Sequence, residues 1–147
     1  MAYLPEGFDV PPMLPHELAF RDFCDAGELR IQRCGDCGCF RHPPQPVCSH
    51  CRSRHIDWAH VSGEGEVYSY TVIHQAATGA LREATPYNVV VVLLDGTQDV
   101  RLISNLIDVE PEALRIGLRV RLVWETHGGH QVPRFRLADP QHETRHE

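Results

Sequence analysis

Cys34-Gly35-Asp36-Cys37 and Cys48-Ser49-His50-Cys51 stand ten residues apart, joined by Gly38-Cys39-Phe40-Arg41-His42-Pro43-Pro44-Gln45-Pro46-Val47. A two-residue gap lets both thiolates of a pair turn to one point. Two such knuckles facing each other make a tetrahedral sulfur site. Cys34, Cys37, Cys48 and Cys51 are therefore the candidate ligands of one structural metal ion, expected to be zinc. Iron in a rubredoxin-like site would use the same thiolates, and a red ferric colour would reveal it. Zinc is favoured because nothing else in the chain suggests electron transfer. Four thiolates close the sphere, so water and substrate find no place there and no catalysis is expected at the metal.

Outward from the knuckles, Leu29 to Arg33 reads as a strand into the first pair. Ile56 to Val61, with Trp58, reads as a strand out of the second. Strand, knuckle, stiff proline-rich loop, knuckle, strand is the layout of a zinc ribbon, placed at residues 29–61. Residues 1–28 form an arm and a helix. Pro5, Pro11, Pro12 and Pro15 keep the arm extended. Pro15 and Glu17 suit the first turn of a helix over 16–26, and Gly27 suits its stop. Leu18, Phe20, Phe23 and Cys24 give that helix its apolar face.

From Ser62 onward the pattern is all-β, and residues 62–138 are expected to form one barrel. Glu66 to His74 alternates, with Tyr68, Tyr70 and Val72 on one face. Asn88 to Leu94 holds a continuous apolar run, Val89-Val90-Val91-Val92-Leu93-Leu94, as expected for a buried strand, and Asp95-Gly96 signals a hairpin. Val100 to Leu106, a helical turn at Glu110 to Leu114, an alternating strand over Leu118 to Trp124, and Val132 to Leu137 follow. The fold class is mainly β: an N-terminal helix, a rubredoxin-like zinc ribbon, then a five-stranded OB-fold barrel. Residues 139–147 read as a frayed polar tail.

The chain has 147 residues and a formal net charge of −6, which argues against general nucleic-acid binding. All 14 basic residues are Arg, which excludes a lysine Schiff base and a Walker lysine within the chain. No stretch approaches the ~20 apolar residues of a membrane helix, and no secretory leader is recognised, so a cytoplasmic protein without a membrane partner is expected. Paired knuckles in that compartment favour metal over disulfides. The ten His residues sit mostly in polar context, and no metalloprotease, serine-elbow or phosphate-loop motif accompanies them. No catalytic residue is assigned. Cys24 and Cys39 read as packing residues. Arg119, Arg121, Arg134 and Arg136 on the last two strands read as a solvated outer face. Their functional alternative is a docking surface for an anionic ligand such as the phosphates of coenzyme A, or for an acidic partner.

Several segments together resemble a known family. They are Gly27-Glu28-Leu29-Arg30-Ile31-Gln32-Arg33-Cys34 with Cys37, Arg41-His42-Pro43-Pro44 leading to Cys48 and Cys51, and Trp58. Ser62-Gly63-x-Gly65-x-Val67-Tyr68-Ser69-Tyr70-Thr71-Val72, Arg101-Leu102-Ile103-Ser104-Asn105-Leu106 and Ile116-Gly117 complete the set. From about residue 15 to 137 this is similar to the zinc-ribbon plus OB-fold proteins of acyl-CoA metabolism, domain of unknown function thirty-five. The resemblance implies an accessory subunit of a thiolase-like enzyme, with structural zinc and a coenzyme A ester as the substrate-derived ligand. Some members help a thiolase and its following synthase hold coenzyme A. Others pair with a thiolase-fold aldolase that cleaves steroid side-chain CoA esters by retro-aldol chemistry. The catalytic residues lie mainly on the partner. Phe20 and Phe23 stand where members carry an aromatic pair. With Arg41, His42, Pro43, Arg134 and Arg136 they are the candidate contacts to coenzyme A or partner. The alternative from a different class is a single-stranded nucleic-acid-binding OB module.

Overall fold

The structure, a computed structural model, describes Pro5, Gly7, Phe8 and residues 12–138. The expected tail and most of the expected arm lie outside the described residues. Helix α1 spans Pro15–Asp25 and opens with proline in its first turn, while the Glu17 carboxylate accepts from the Leu14 amide at 2.8 Å. It closes in a Schellman turn: the Gly27 amide donates to Cys24, the Glu28 amide to Phe23, and Gly27 takes the positive φ of 75° that such a turn needs.

Three short strands follow, β1 (Arg30–Cys34), β2 (Phe40–Arg41) and β3 (Ile56–His60), in the antiparallel order β2-β1-β3. Five more form the second sheet: β4 (Glu64–Ile73), β5 (Tyr87–Leu94), β6 (Arg101–Ser104), β7 (Arg119–His127) and β8 (His130–Leu137). Their order is β6-β5-β4-β7-β8, all antiparallel. A bridge between Leu106 and Phe135 brings the two ends together into a nearly closed barrel. The β7–β8 hairpin turns on Gly128 and Gly129, with φ of 57° and 81°, the left-handed pair a two-residue primed turn requires. Sequence reading started β8 at Val132, missing the two residues that the paired glycines add.

The apolar run in β5 is not buried on both sides. Val90, Val92 and Leu94 enter the core, whereas Val89, Val91 and Leu93 are half-buried on the outer face. Tyr68 and Tyr70 are likewise exposed, at 46% and 38%. A register shift between Val67 and Ser69 lets Val67 enter the core and leaves Tyr68 outside it. Gly65 allows the close crossing of β4 over β5, because a Cβ there would meet the Leu93 carbonyl oxygen at 2.4 Å.

One apolar cluster unites ribbon and barrel. Leu29 and Ile31 from the ribbon side pack in the same buried group as Val67, Val90, Val92, Val120 and Phe135. Helix α1 lies over this junction, against β8 and β1. No described helix is long and apolar enough to cross a membrane.

Candidate metal centre

The two knuckles are built alike. In the first, the Cys34 amide donates to the Cys39 carbonyl and the Gly38 amide to the Cys34 carbonyl; in the second, Cys48 donates to Ser53 and Arg52 to Cys48. Each fourth residue after the leading cysteine takes a positive φ, 75° at Gly38 and 62° at Arg52. This repeated turn points four sulfurs at one centre, all within 4.8 Å of one another. Cys34 Sγ lies 3.5 Å from Cys51 Sγ, and Cys37 Sγ lies 3.7 Å from Cys48 Sγ. Those spacings are far beyond a disulfide bond and match the ~3.8 Å edge of a tetrahedron with metal–sulfur bonds of about 2.3 Å.

The electrostatics fit a cation too. The Cys37 amide leads in drawing the Cys34 thiol down to about 6, and the Cys51 amide leads in lowering Cys48. Cys37 and Cys51 go the other way. The Cys39 and Ser53 amides pull them down, but desolvation and the neighbouring sulfurs outweigh that pull. The four neighbouring thiols thus compete for protons, and a divalent ion at their centre would favour thiolate at all four. Such an ion would be held by these four residues and would supply cross-linking of the fold.

The candidate contacts fall into three places. Phe20 and Phe23 serve the seam between helix and ribbon: Phe20 meets the His42 ring at 4.9 Å, and Phe23 meets Trp58 at 5.4 Å with Arg30 over its face. Pro43 is exposed beside them. Arg41 Nε donates to Gln32 Oε1 at 2.6 Å, and the Gln45 amide donates to the same oxygen at 2.8 Å. Both Arg41 terminal nitrogens and Gln32 Nε2 are buried with no partner among the described residues.

Burial holds the His42 imidazole neutral, bringing its pKa from 6.5 down to about 4 against a smaller upward pull from Glu17. The unfolded chain therefore takes up this proton at higher pH than the folded chain. Stability drains as pH falls from 6.5 to 4, by at most about 3 kcal/mol. Melting the metal-loaded wild type and His42→Phe across that window is expected to show a shallower slope for the variant. Equal slopes would refute the assignment.

On the last two strands Arg119 and Arg121 are exposed, as the sequence reading expects, and one arginine departs from it. Arg134 is buried at 7% exposure rather than part of a docking face, and its Nη1 donates to Asn105 Oδ1 at 2.8 Å. Arg119 pairs with Asp95, and Arg136 Nη2 lies 3.6 Å from the Asp108 carboxylate. What sequence reasoning missed is the polar seam that closes the barrel. Asn88 exchanges two 2.8 Å hydrogen bonds with the backbone of Leu106, and Ser104 Oγ donates to the Pro133 carbonyl at 2.7 Å. Two asparagines and a serine in strand sequences carry no motif that would announce this.

Comparisons with known proteins agree with this architecture. The ChsH2 rubredoxin-like zinc ribbon domain matches residues 21–57, and the ChsH2 C-terminal OB-fold domain matches residues 58–125. The chain is 42% identical over 117 residues to a probable enoyl-CoA hydratase alpha subunit of Thermomonospora curvata, covering 79% of this chain and 35% of that one. It is 35% identical over 105 residues to the 3-oxo-4,17-pregnadiene-20-carboxyl-CoA hydratase alpha subunit of Mycobacterium tuberculosis, covering 71% of this chain and 32% of that one. The chain thus spans about a third of the length of these relatives. Among solved structures, the Ltp2-ChsH2(DUF35) aldolase superposes with a TM-score of 0.79 and 35% identity, covering 88% of this chain and all of that chain.

Proposed function

The chain belongs to the DUF35 family, as a ChsH2-type zinc ribbon joined to an OB-fold. From that premise we propose that it is a non-catalytic accessory subunit of a thiolase-fold enzyme acting on acyl-CoA thioesters. The reaction is either retro-aldol cleavage of a steroid side-chain CoA ester or thiolase and synthase chemistry. The CoA-named hydratase subunits support the substrate class, and the aldolase that pairs ChsH2 with Ltp2 supports a two-component assembly.

The observation that carries the reading is the apolar outer face of β5 and β6. Ile103, 71% exposed, sits directly across from Val91, with Arg101 across from Leu93. The Arg101 guanidinium covers the ring of exposed Tyr68 at 4.2 Å. A sheet apolar on both faces exceeds what a lone barrel needs, and contiguous exposed apolar surface marks a site of association. On this reading the partner covers that face, and the ribbon loop Arg41 to Val47 contributes to the coenzyme A channel.

Capture of the tagged chain together with a thiolase-fold protein from its native cell, followed by size-exclusion chromatography, tests the reading. The pair is expected to co-elute. Ile103→Glu is expected to weaken association at least ~30-fold, as for a central contact worth about 2 kcal/mol or more, with its melting temperature unchanged. Failure of the wild type to co-elute would refute the function. Undiminished binding by Ile103→Glu would refute the surface.

A further inference from the structure

Beside the four-sulfur centre lies a second group of donors. Cys37 Sγ, Cys39 Sγ and a His50 ring nitrogen all stand within 4.8 Å of one another. The backbone fixes this arrangement. The Cys39 carbonyl accepts from Cys34 at 2.9 Å, the next residue opens β2 opposite Arg33, and His50 sits inside the second knuckle, just before Cys51. Cys37 and His50 are exposed and Cys39 is half-exposed, so an ion arriving from solvent meets all three. A packing residue, the sequence reading of Cys39, would be covered instead.

We propose that this rim binds a second, thiophilic cation, with Cys39 Sγ and His50 as terminal ligands and Cys37 Sγ as a thiolate bridge to the first ion. Two sulfurs and one imidazole form a soft donor set that selects copper(I), cadmium or zinc over magnesium or calcium. Bonds of about 2.3 Å to sulfur and 2.0–2.1 Å to nitrogen place ligand atoms up to about 4 Å apart, so side-chain rotation of about 1 Å closes the set. Binding releases the Cys39 thiol proton to solvent and leaves a fourth position open. The first centre is closed and structural, whereas the second is open and exchangeable. Occupancy there would make the ribbon respond to thiophilic metal without dismantling it.

Cadmium is the probe. The zinc-loaded chain is incubated with excess Cd²⁺ under anaerobic conditions and desalted, and both metals are counted per chain. Wild type is expected to retain two ions per chain, counted as zinc plus cadmium, since cadmium also exchanges into a four-thiolate site. Cys39→Ser and His50→Ala are each expected to keep one ion per chain and to bind the second at least ~10-fold more weakly, as loss of one ligand from a site predicts. A total of one ion per wild-type chain would overturn the proposal. So would a second ion that persists in Cys39→Ser, or a Cys39→Ser chain left without any ion, which would place Cys39 in the primary centre.

Discussion

Stripping the metal from this protein is expected to unfold the ribbon and loosen the barrel beside it, with all association lost. The ribbon strands are five, two and five residues long, too short to bury a core of their own. A four-thiolate zinc site contributes about 10–16 kcal/mol of apparent binding free energy, comparable with the whole stability of a typical domain at about 5–15 kcal/mol. Cooperation with the barrel follows from packing: Leu29 and Ile31 leave the ribbon to fill the barrel's apolar cluster. Hydrogen exchange read by mass spectrometry, with and without a chelator, checks this. Amides over residues 30–60 are expected to lose protection by orders of magnitude. Those of β4 and β5 should keep most of theirs, and zinc should restore the rest. Persistent protection of β1 and β3 in chain proven metal-free would refute the metal's structural role.

What could be read from the sequence divides along physical lines. The knuckles were legible because ligand spacing is a local geometric constraint, set by turns of a few residues. Helix α1 was legible because Pro15, Glu17 and Gly27 each act within one turn of its ends. The β5 run was misread because periodicity cannot tell a strand buried on both sides from one whose outer face is apolar for another reason. Val89, Val91 and Leu93 look like core in sequence and lie outside it in the fold. Arg134 departed from its reading for the opposite reason. Arg134 and Arg136 alternate with apolar residues like any solvated face, yet barrel closure brings Asn105, just past β6, onto Arg134 from 29 positions away. That contact is fixed by tertiary topology, which no window of neighbours contains.

Arg134→Glu is therefore expected to cripple folding rather than ligand binding. The Arg134 guanidinium lies 3.6 Å from the Glu125 carboxylate with both side chains under a tenth exposed, and it also donates to Asn105 Oδ1 at 2.8 Å. Asn105 in turn donates to the Asn88 carbonyl, and Asn88 holds both backbone groups of Leu106. Reversal of the charge leaves two carboxylates buried together and removes the donor from Asn105. Breaking a buried pair costs about 3–5 kcal/mol, and an orphaned buried acceptor adds about 1–3 kcal/mol. At roughly 2–4 °C per kcal/mol for a chain of this size, the melting temperature should fall by at least ~10 °C. Arg136→Glu is the control, since Arg136 and Asp108 are 43% and 73% exposed. Exposed pairs of that kind are worth about 0–1 kcal/mol. Thermal melts of the metal-loaded chains separate the two accounts. If Arg134→Glu melts with the wild type but binds coenzyme A more weakly, Arg134 belongs to a docking face after all. If it collapses while Arg136→Glu does not, the arginine is the latch that closes the barrel, and any anion site must be sought elsewhere on the chain.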